Sequence, residues 1–187
     1  MRNKIFEVSK TDKKIIAIRK YGNEDDFWLG YIENYNDKII QLRLFDSQGI
    51  DDGVVIEKQE NIDSIDFDSN YEKTYEYLIN RIYNLNEIKE IISFKNSVDW
   101  KKEYLEEFKQ RNDLISFQIY ESEGLIIYGY VLDLYDKEFI INAIGRLGED
   151  EGKTIYKIDD IVTLKFASRK SKLRAELNNW WKEKNNR

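Results

Sequence analysis

The strongest constraint on this chain is an internal repeat with a separation of 99 residues. Residues 21–69 align with residues 120–168 without a gap, and 14 of the 49 aligned pairs are identical, where roughly four are expected by chance for this composition. The stretch "IDDGVVIEKQENIDSIDF" at 50–67 returns as "EDEGKTIYKIDDIVTLKF" at 149–166. Coincidence in a chain rich in Ile and Asp is the alternative, and duplication of one structural unit is the better interpretation.

Each copy has the pattern of five short β-strands. In the second copy the strand candidates are "LISFQIY", "LIIYGYVLDLY", "FIINAIGRL", "TIYKI" and "IVTLKF", with turn sequences between them that include "ESEG", "DKE" and "GEDEGK". The candidates are rich in β-branched and aromatic residues, as strands are. Gly30 and Gly129 fall inside a strand, where glycine marks a bulge or a sharp bend. A short sheet bent in this way closes most readily into a small barrel, because closure removes its exposed edges.

Three helices are predicted beside the strands. Ser69 and Glu72 have the spacing of a capping box at the start of the first helix. Apolar residues recur at helical spacing in three sets: Tyr71, Tyr75, Leu78, Ile82 and Leu85; Trp100, Tyr104, Leu105 and Phe108; and Leu173, Leu177 and Trp180. The predicted fold is α+β, mainly β, with two duplicated five-stranded small barrels and connecting and C-terminal helices. Its parts are a first barrel at 1–69, a helical connector at 70–111, a second barrel at 112–168 and a basic helix at 169–187.

The composition excludes several kinds of chemistry. The chain has no cysteine and no histidine, which removes disulfides, thiol nucleophiles, a histidine general base and the common zinc and iron sites. The N-terminus has no apolar segment of the kind that secretory signals carry, and no stretch reaches the eighteen or so apolar residues of a membrane helix. We therefore expect a cytoplasmic protein that is not an enzyme and uses no cofactor or metal.

Three stretches of the second copy occur in an order known from a protein family. They are the helix "DWKKEYLEEFKQ", the strands "YGYVLDLYDKEFIINAI" with Gly129 and Asp136, and the closing pair "TIYKIDDIVTLKF". The first copy offers "LGYIENYNDKIIQLRL" with Gly30 and Asp37. This order resembles the Sm/LSm-like barrel, one of the SH3-like small barrels. The Asp stands seven residues after the Gly rather than six, and the family's base-holding Asn and its Arg-Gly pair have no counterpart. The resemblance therefore implies a fold and no RNA-binding residues.

Aromatic and acidic residues form the predicted partner-binding surface. Trp28, Tyr31 and Tyr35 lie on one strand, and exposed Trp and Tyr are favoured interface anchors; filling of the barrel by these rings is the alternative. On the last strand of the first copy, Asp66 and Asp68 are expected to face water while Ile65 and Phe67 face the core.

The acidic residues have two further interpretations. The counterparts of Asp66 and Asp68 in the second copy are Lys165 and Ala167, so acid–base chemistry by this pair is not preserved and the two copies present different surfaces. Clustered carboxylates at 51–52 and 149–151 could hold a hard cation, but Asp and Gly are also the ordinary residues of turns. We expect turns and no metal.

The C-terminal segment is basic within an acidic chain. Residues 165–187 carry a charge of +6. Since the net charge of the chain is −6, the remaining 164 residues carry −12. One interpretation is a nucleic-acid contact, with the candidate residues Arg169, Lys170, Lys172, Arg174 and Trp181. The other is that the helix docks on acidic barrels of the same chain or of another subunit, since the stripe of Leu173, Leu177 and Trp180 is typical of a buried face.

These observations favour a non-catalytic interaction protein that binds a macromolecular partner, most simply another protein, through acidic and aromatic surfaces. An immunity or inhibitor protein that masks a basic partner has this size and acidity. The alternative is an LSm-like nucleic-acid or nucleotide-binding protein that uses the basic C-terminal segment. A carboxylate-based enzyme is the third hypothesis. Pairing of barrel edges in a homo-oligomer stays open.

Overall fold

The computed structural model describes residues 1–21, 23–120 and 125–185, so the predicted turn at 121–124 and the terminal Arg187 lie outside the described residues. The described part is α+β and mainly β, with four α-helices and ten antiparallel strands. It divides into two compact units, Met1–Phe94 and Lys95–Arg187. This boundary falls within the predicted connector, whose two helices are therefore divided between the units. Among the described residues, no helix is long and apolar enough to cross a membrane.

Both units have the plan of a helix, five strands and a second helix. The first contains α1 (Arg2–Asp12), β1 (Ile16–Lys20), β2 (Asn23–Tyr35), β3 (Ile39–Phe45), β4 (Asp51–Lys58), β5 (Ile62–Asp66) and α2 (Asn70–Ile82). The second contains α3 (Trp100–Arg111), β6 (Leu114–Ile119), β7 (Ile127–Leu134), β8 (Glu138–Ile144), β9 (Asp150–Lys157), β10 (Ile161–Phe166) and α4 (Arg169–Asn185). The strand order is β5-β1-β2-β3-β4 in the first unit and β10-β6-β7-β8-β9 in the second.

The two closed barrels predicted from the sequence are not present. Each five-stranded sheet is open: it begins at the fifth strand of its unit and ends at the fourth. The first strand of each unit pairs with both the second and the fifth, as β1 does with β2 and β5. Within the described residues, no ladder then joins the fourth strand of a unit to its fifth, so closure is incomplete.

The backbone repeats its unusual conformations at the 99-residue separation. Eight described residues have a left-handed backbone, and they form four pairs: Lys13 and Asn112, Gly49 and Gly148, Gly53 and Gly152, and Asp68 and Ala167. Irregularities of the ladders also correspond, since the register shifts after Ile32 in β2 and after Val131 in β7. Residues separated by 99 positions can therefore be compared directly as structural equivalents.

The predicted strand glycines are needed because a neighbouring strand lies very close. A Cβ atom at Gly30 would be 1.7 Å from the carbonyl oxygen of Arg43, and one at Gly129 would be 2.2 Å from that of Asn142. No side chain can occupy either position without moving the adjacent strand. The predicted bulge lies two residues further along each strand, after Ile32 and Val131, rather than at the glycines themselves.

In each unit, the C-terminal helix packs on one face of the sheet, which we call the helix face. In the first unit this face carries Ile15, Leu29, Tyr31 and Phe45, and Ile79 of α2 packs against it. Its equivalents in the second unit are Leu114, Tyr128, Tyr130 and Ile144, which pack with Ala175 of α4. The opposite face of the first sheet packs against Phe6 of α1.

Residues 83–94 form an irregular segment, here called the strap, that covers part of the helix face of the first unit. The side-chain amide of Gln41 donates to the carbonyl of Ile92 at 3.2 Å and to Glu33 at 2.8 Å. Asn34 donates to Glu90 of the strap at 2.7 Å. Burial is the main cause of a raised pKa at Glu33. The strap thus closes a buried polar network over β2 and β3.

Candidate partner-binding site

An open cavity of about 530 Å³ in the first unit contains part of the predicted acidic surface. It lies between β1, β2, β5 and the start of α2. Its lining residues are Ala17, Arg19, Phe27, Ile65, Asp66, Phe67, Ser69, Tyr71 and Glu72. A cavity of this size, lined by three aromatic and three charged side chains, has the dimensions and chemistry of a binding site.

Two charged groups of the cavity form an ion pair, and one of them also contacts an aromatic ring. Arg19 forms an ion pair with Asp66, and its guanidinium lies 5.2 Å from the centre of the Phe27 ring. This placement follows from the ladder, in which Arg19 is directly opposite Phe27 on β2. The Asp66 side chain remains 46% exposed, so one carboxylate of the cavity faces solvent.

One aromatic ring of α2, that of Tyr71, lines the cavity. The Tyr71 ring lies edge-on to Phe27 with centroids 5.6 Å apart and contacts Tyr75 at 4.8 Å. Partial burial, followed by the hydrogen bond with Tyr75, raises the pKa of Tyr71 to about 12. At neutral pH its hydroxyl is therefore a protonated hydrogen-bond donor at the rim of the cavity.

The start of α2 fixes this side of the cavity. The backbone N–H of Ser69 donates to the Glu72 carboxylate at 2.9 Å, and Ser69 Oγ accepts from the backbone N–H of Tyr71 at 3.1 Å. The capping box predicted from the sequence is confirmed. Glu72 is buried and committed to this role.

The predicted acidic pair is partly placed as expected. Asp66 is the last residue of β5, and Asp68 is exposed with a left-handed backbone and a distant ion pair to Lys14 at 3.9 Å. The prediction that Phe67 faces the core is wrong, because Phe67 is 42% exposed and lines the cavity. The chain leaves β5 at Asp66, which releases the ring from the alternation of the strand.

The predicted aromatic anchors of β2 lie mainly inside the unit. Tyr31 is only 1% exposed, which contradicts its assignment as a partner contact, and burial raises its pKa. Trp28 is half-buried beneath the ammonium of Lys20, 4.9 Å from the ring centre. Tyr35 packs on Phe6 of α1 at 5.5 Å, and its hydrogen bond to Glu7 raises its pKa. The alternative, that these rings pack inside the unit, describes them better.

The basic helix α4 contacts its own unit through polar groups. The Arg174 guanidinium lies 3.9 Å from the centre of the Tyr128 ring and donates to the carbonyl of Ile144 at 2.7 Å. Asn178 and the Trp181 indole donate to the carbonyls of Gly148 and Leu147 at 2.9 and 3.0 Å. Two predicted nucleic-acid contacts, Arg174 and Trp181, are thus engaged within the unit.

The apolar stripe predicted for α4 does not form its buried face. Leu173 is exposed, and Trp180 is 49% exposed. The reason is that α4 docks by hydrogen bonds and a cation–π contact, and Asn178 occupies the buried position that Ile79 has in α2. The other predicted nucleic-acid contacts, Arg169, Lys170 and Lys172, are exposed.

The acidic residues predicted to form turns instead begin strands, since β4 starts at Asp51 and β9 at Asp150. Asp51 forms an ion pair with Arg43, and Asp150 accepts from the backbone N–H of Gly152 at 2.8 Å. In the part of the chain that the structure describes, no cluster of three or more carboxylates is arranged to hold a metal ion.

A second cavity, of about 400 Å³, lies in the second unit where α3 ends and α4 begins. Its lining includes Arg111, Tyr130 and Lys172. Arg111 pairs with Asp113 at 2.8 Å, and burial raises the pKa of that carboxyl group. Lys172 thus stands beside a cavity as well as on the exposed side of α4.

Sequence reasoning missed Arg19, Phe27 and Tyr71 as site residues. Their common signal is that each differs in chemistry from its equivalent, since the second copy has Gln118, Ile126 and Lys170 at these positions. No protein-family model, curated protein or solved structure matches the chain. The geometry of the cavity is therefore the basis for assigning a function.

Proposed function

We propose that the protein is a non-catalytic binding protein and that the cavity of the first unit receives a cationic side chain of a macromolecular partner. The supporting observation is the combination of exposed rings and carboxylates at its rim. Phe67 and Tyr71 are 42% and 44% exposed, Asp66 is 46% exposed, and Asp68, which lies between the lining residues Phe67 and Ser69, forms a 3.9 Å ion pair with Lys14. A guanidinium or ammonium group placed there would contact an aromatic face and a carboxylate together.

The carboxylates inside the cavity support a binding role over a catalytic one. Asp66 is neutralised by Arg19, and Glu72 caps α2. Neither is an unpartnered group of the kind that general acid–base catalysis uses. An inhibitor or immunity protein that masks a basic partner is one form of this proposal. A cytoplasmic location also belongs to it, since a chain without cysteine has no need of an oxidising compartment.

The difference between the two units also supports the proposal. The second unit has Lys165, Ala167 and Lys170 where the first has Asp66, Asp68 and Tyr71. We propose that a Sm-like unit of a helix, five strands and a helix was duplicated and that the acidic site arose in one copy. The matched strand orders and left-handed residues are the support for this origin.

The test compares partners captured by the full chain and by the double variant Asp68→Asn, Tyr71→Ala. Affinity capture followed by quantitative mass spectrometry should show a protein with a basic surface that the variant captures at least about tenfold less, a loss of about 1.4 kcal/mol. The matched control is Glu60→Gln, another exposed carboxylate of the first unit. Equal capture by the variant and the wild type would contradict the site.

A second candidate function, nucleic-acid binding, is favoured by the exposure of Arg169, Lys170 and Lys172 on the first turn of α4. Phosphate contacts of this kind make the affinity fall steeply with salt. Fluorescence anisotropy with single-stranded RNA would show binding that Arg169→Ala with Lys172→Ala weakens and that the exposed control Lys4→Ala leaves unchanged. Absence of binding at low salt would remove this candidate.

A further inference from the structure

The helix faces of the two units differ where the strap lies in the first unit. The relevant positions are Glu33, Gln41 and Ile56 in the first unit and Leu132, Ile140 and Ile155 in the second. Gln41 is paired with Ile56 across β3 and β4, and Ile140 is paired with Ile155 across β8 and β9. Each set therefore occupies one side of its sheet.

The covered face of the first unit is the more polar of the two, although Ile56 on it is also buried, whereas the second unit is apolar at all three positions and its Ile140 is half-buried. Glu33 and Gln41 are polar yet 6% and 0% exposed. Leu132 and Ile155 are apolar yet 38% and 60% exposed. Contiguous exposed aliphatic side chains of this kind mark an interaction surface.

The first unit shows what kind of element covers this face. The strap begins with a short 3-10 helix, Leu85–Glu87, and its irregular part after this helix contacts the face through the carboxylate of Glu90 and the carbonyl of Ile92. Ile92 itself is buried. Since the two sheets share strand order and register, a segment of similar width fits across β7, β8 and β9.

The charges around the face of the second unit select the chemistry of that segment. Lys153 and Lys157 alternate with Ile155 on β9 and therefore lie on the same side. Glu138 is opposite Lys157, whereas Lys153 is opposite the uncharged Asn142, and Asp133 is held by Lys109 at 2.7 Å. A carboxylate of an incoming segment would complement Lys153.

We propose that the face formed by Leu132, Ile140 and Ile155 binds an extended segment of a partner protein that carries aliphatic side chains beside a carboxylate. This site uses no residue of the cavity in the first unit, so its test is independent of the test of the proposed function. Aliphatic side chains would cover the three apolar residues, and the carboxylate would pair with Lys153.

The test is a selection of 12-residue peptides displayed on phage against the immobilised full chain, with removal of peptides that also bind Ile155→Asp. The expected consensus has two aliphatic residues and an Asp or Glu. Fluorescence anisotropy of a selected peptide should show affinity about tenfold lower for Ile155→Asp and Leu132→Asp, and a smaller loss that diminishes with salt for Lys153→Glu.

Leu173→Asp is the matched control, because Leu173 is an equally exposed aliphatic residue on α4. Its peptide affinity should equal that of the wild type. Circular dichroism checks that each variant is folded, and Leu132→Asn replaces any variant that is not. Failure to enrich a consensus, or equal affinities in all variants, would overturn the proposal. So would a dimer, seen by light scattering, that Ile155→Asp dissociates, since a second copy would then cover the face.

Discussion

The two units use one backbone plan but place an aromatic ring differently at the same point. In the second unit, Phe108 of α3 packs on Phe166 with centroids 5.0 Å apart, and both rings are buried. In the first unit the equivalent of Phe108 is Ser9, and the equivalent of Phe166 is the exposed Phe67. The first unit therefore lacks the helix ring that Phe108 provides in the second. Its Phe67 ring lies at the surface instead, where it lines the candidate site.

A second difference lies among the residues that face the interior of each sheet. In the first unit Glu57 is fully buried, pairs with Lys20 at 2.8 Å and accepts from Asn61 at 2.6 Å. Its equivalent in the second unit is Tyr156, which packs on Phe117 with centroids 5.3 Å apart. The same ladder thus accommodates either an ion pair or an aromatic cluster, and the choice determines how each unit responds to substitution.

The largest effect is expected for Phe108→Ala. Removing this ring leaves a cavity against Phe166 and should lower the free energy of unfolding of the second unit by about 3–5 kcal/mol. Ser9→Ala, at the equivalent position, should cost about 1–2 kcal/mol, because it removes the bonds of Ser9 Oγ to Lys14 and Ile32. Urea unfolding, with amide hydrogen exchange to report each unit, measures both. If both substitutions lowered the free energy of unfolding equally, Phe108 would not stabilise the second unit more than Ser9 stabilises the first.

The next effect is expected for Glu57→Ala. The substitution leaves Lys20 largely buried without its carboxylate and should cost the first unit about 3 kcal/mol. Glu60→Ala is the control, because its ion pair with Lys58 is exposed and should contribute less than about 1 kcal/mol. The same urea titration compares the two variants. A loss at Glu57 no larger than at Glu60 would mean that water replaces the buried partner.

A smaller effect should separate Gly148→Ala from Gly49→Ala. Both glycines have a left-handed backbone, which costs alanine about 1 kcal/mol. A Cβ at Gly148 would also lie 2.5 Å from the backbone of α4 at Asn178, whereas one at Gly49 would meet side-chain atoms, of Leu78 at 3.1 Å and of Ile79 at 3.4 Å. Gly148→Ala should therefore cost about 2 kcal/mol or more in total. Altered Trp181 fluorescence would report movement of α4, and equal costs would contradict the close approach.

Elements with a clear apolar period were predictable from the sequence. The helix with Trp100, Tyr104, Leu105 and Phe108 on one face is confirmed, and all four side chains are buried. By contrast, α1 was missed, because Phe6 is the only apolar residue that it buries fully. The predicted end of the loop at 148–153 is also wrong, because β9 already begins at Asp150. Turn residues such as Gly152 do not exclude a strand when its edge is exposed.

The candidate site was only partly predictable because it depends on register. Asp66 was identified from its strand, but its partner Arg19 is 47 positions away in the sequence. That contact exists because β1 pairs with β5 as well as with β2, which no local pattern specifies. The docking of α4 was missed for a related reason: its contacts are polar, so the apolar period of the helix pointed to the wrong face.

The smallest effect concerns the pH dependence of the strap-covered network. Burial raises the pKa of Glu33 above the usual value of 4.5 for glutamate, so in this range the folded state binds more protons than the unfolded state. Its contribution to the free energy of unfolding is therefore most favourable below the unfolded pKa and decreases as the pH rises through the folded pKa. The second unit has the uncharged Leu132 at this position and lacks this component. Urea unfolding of the wild type and Glu33→Gln between pH 4 and 8 should show a difference that shifts against the wild type as the pH rises. Other titrating groups are common to both proteins and cancel in this difference, so parallel curves would contradict the raised pKa.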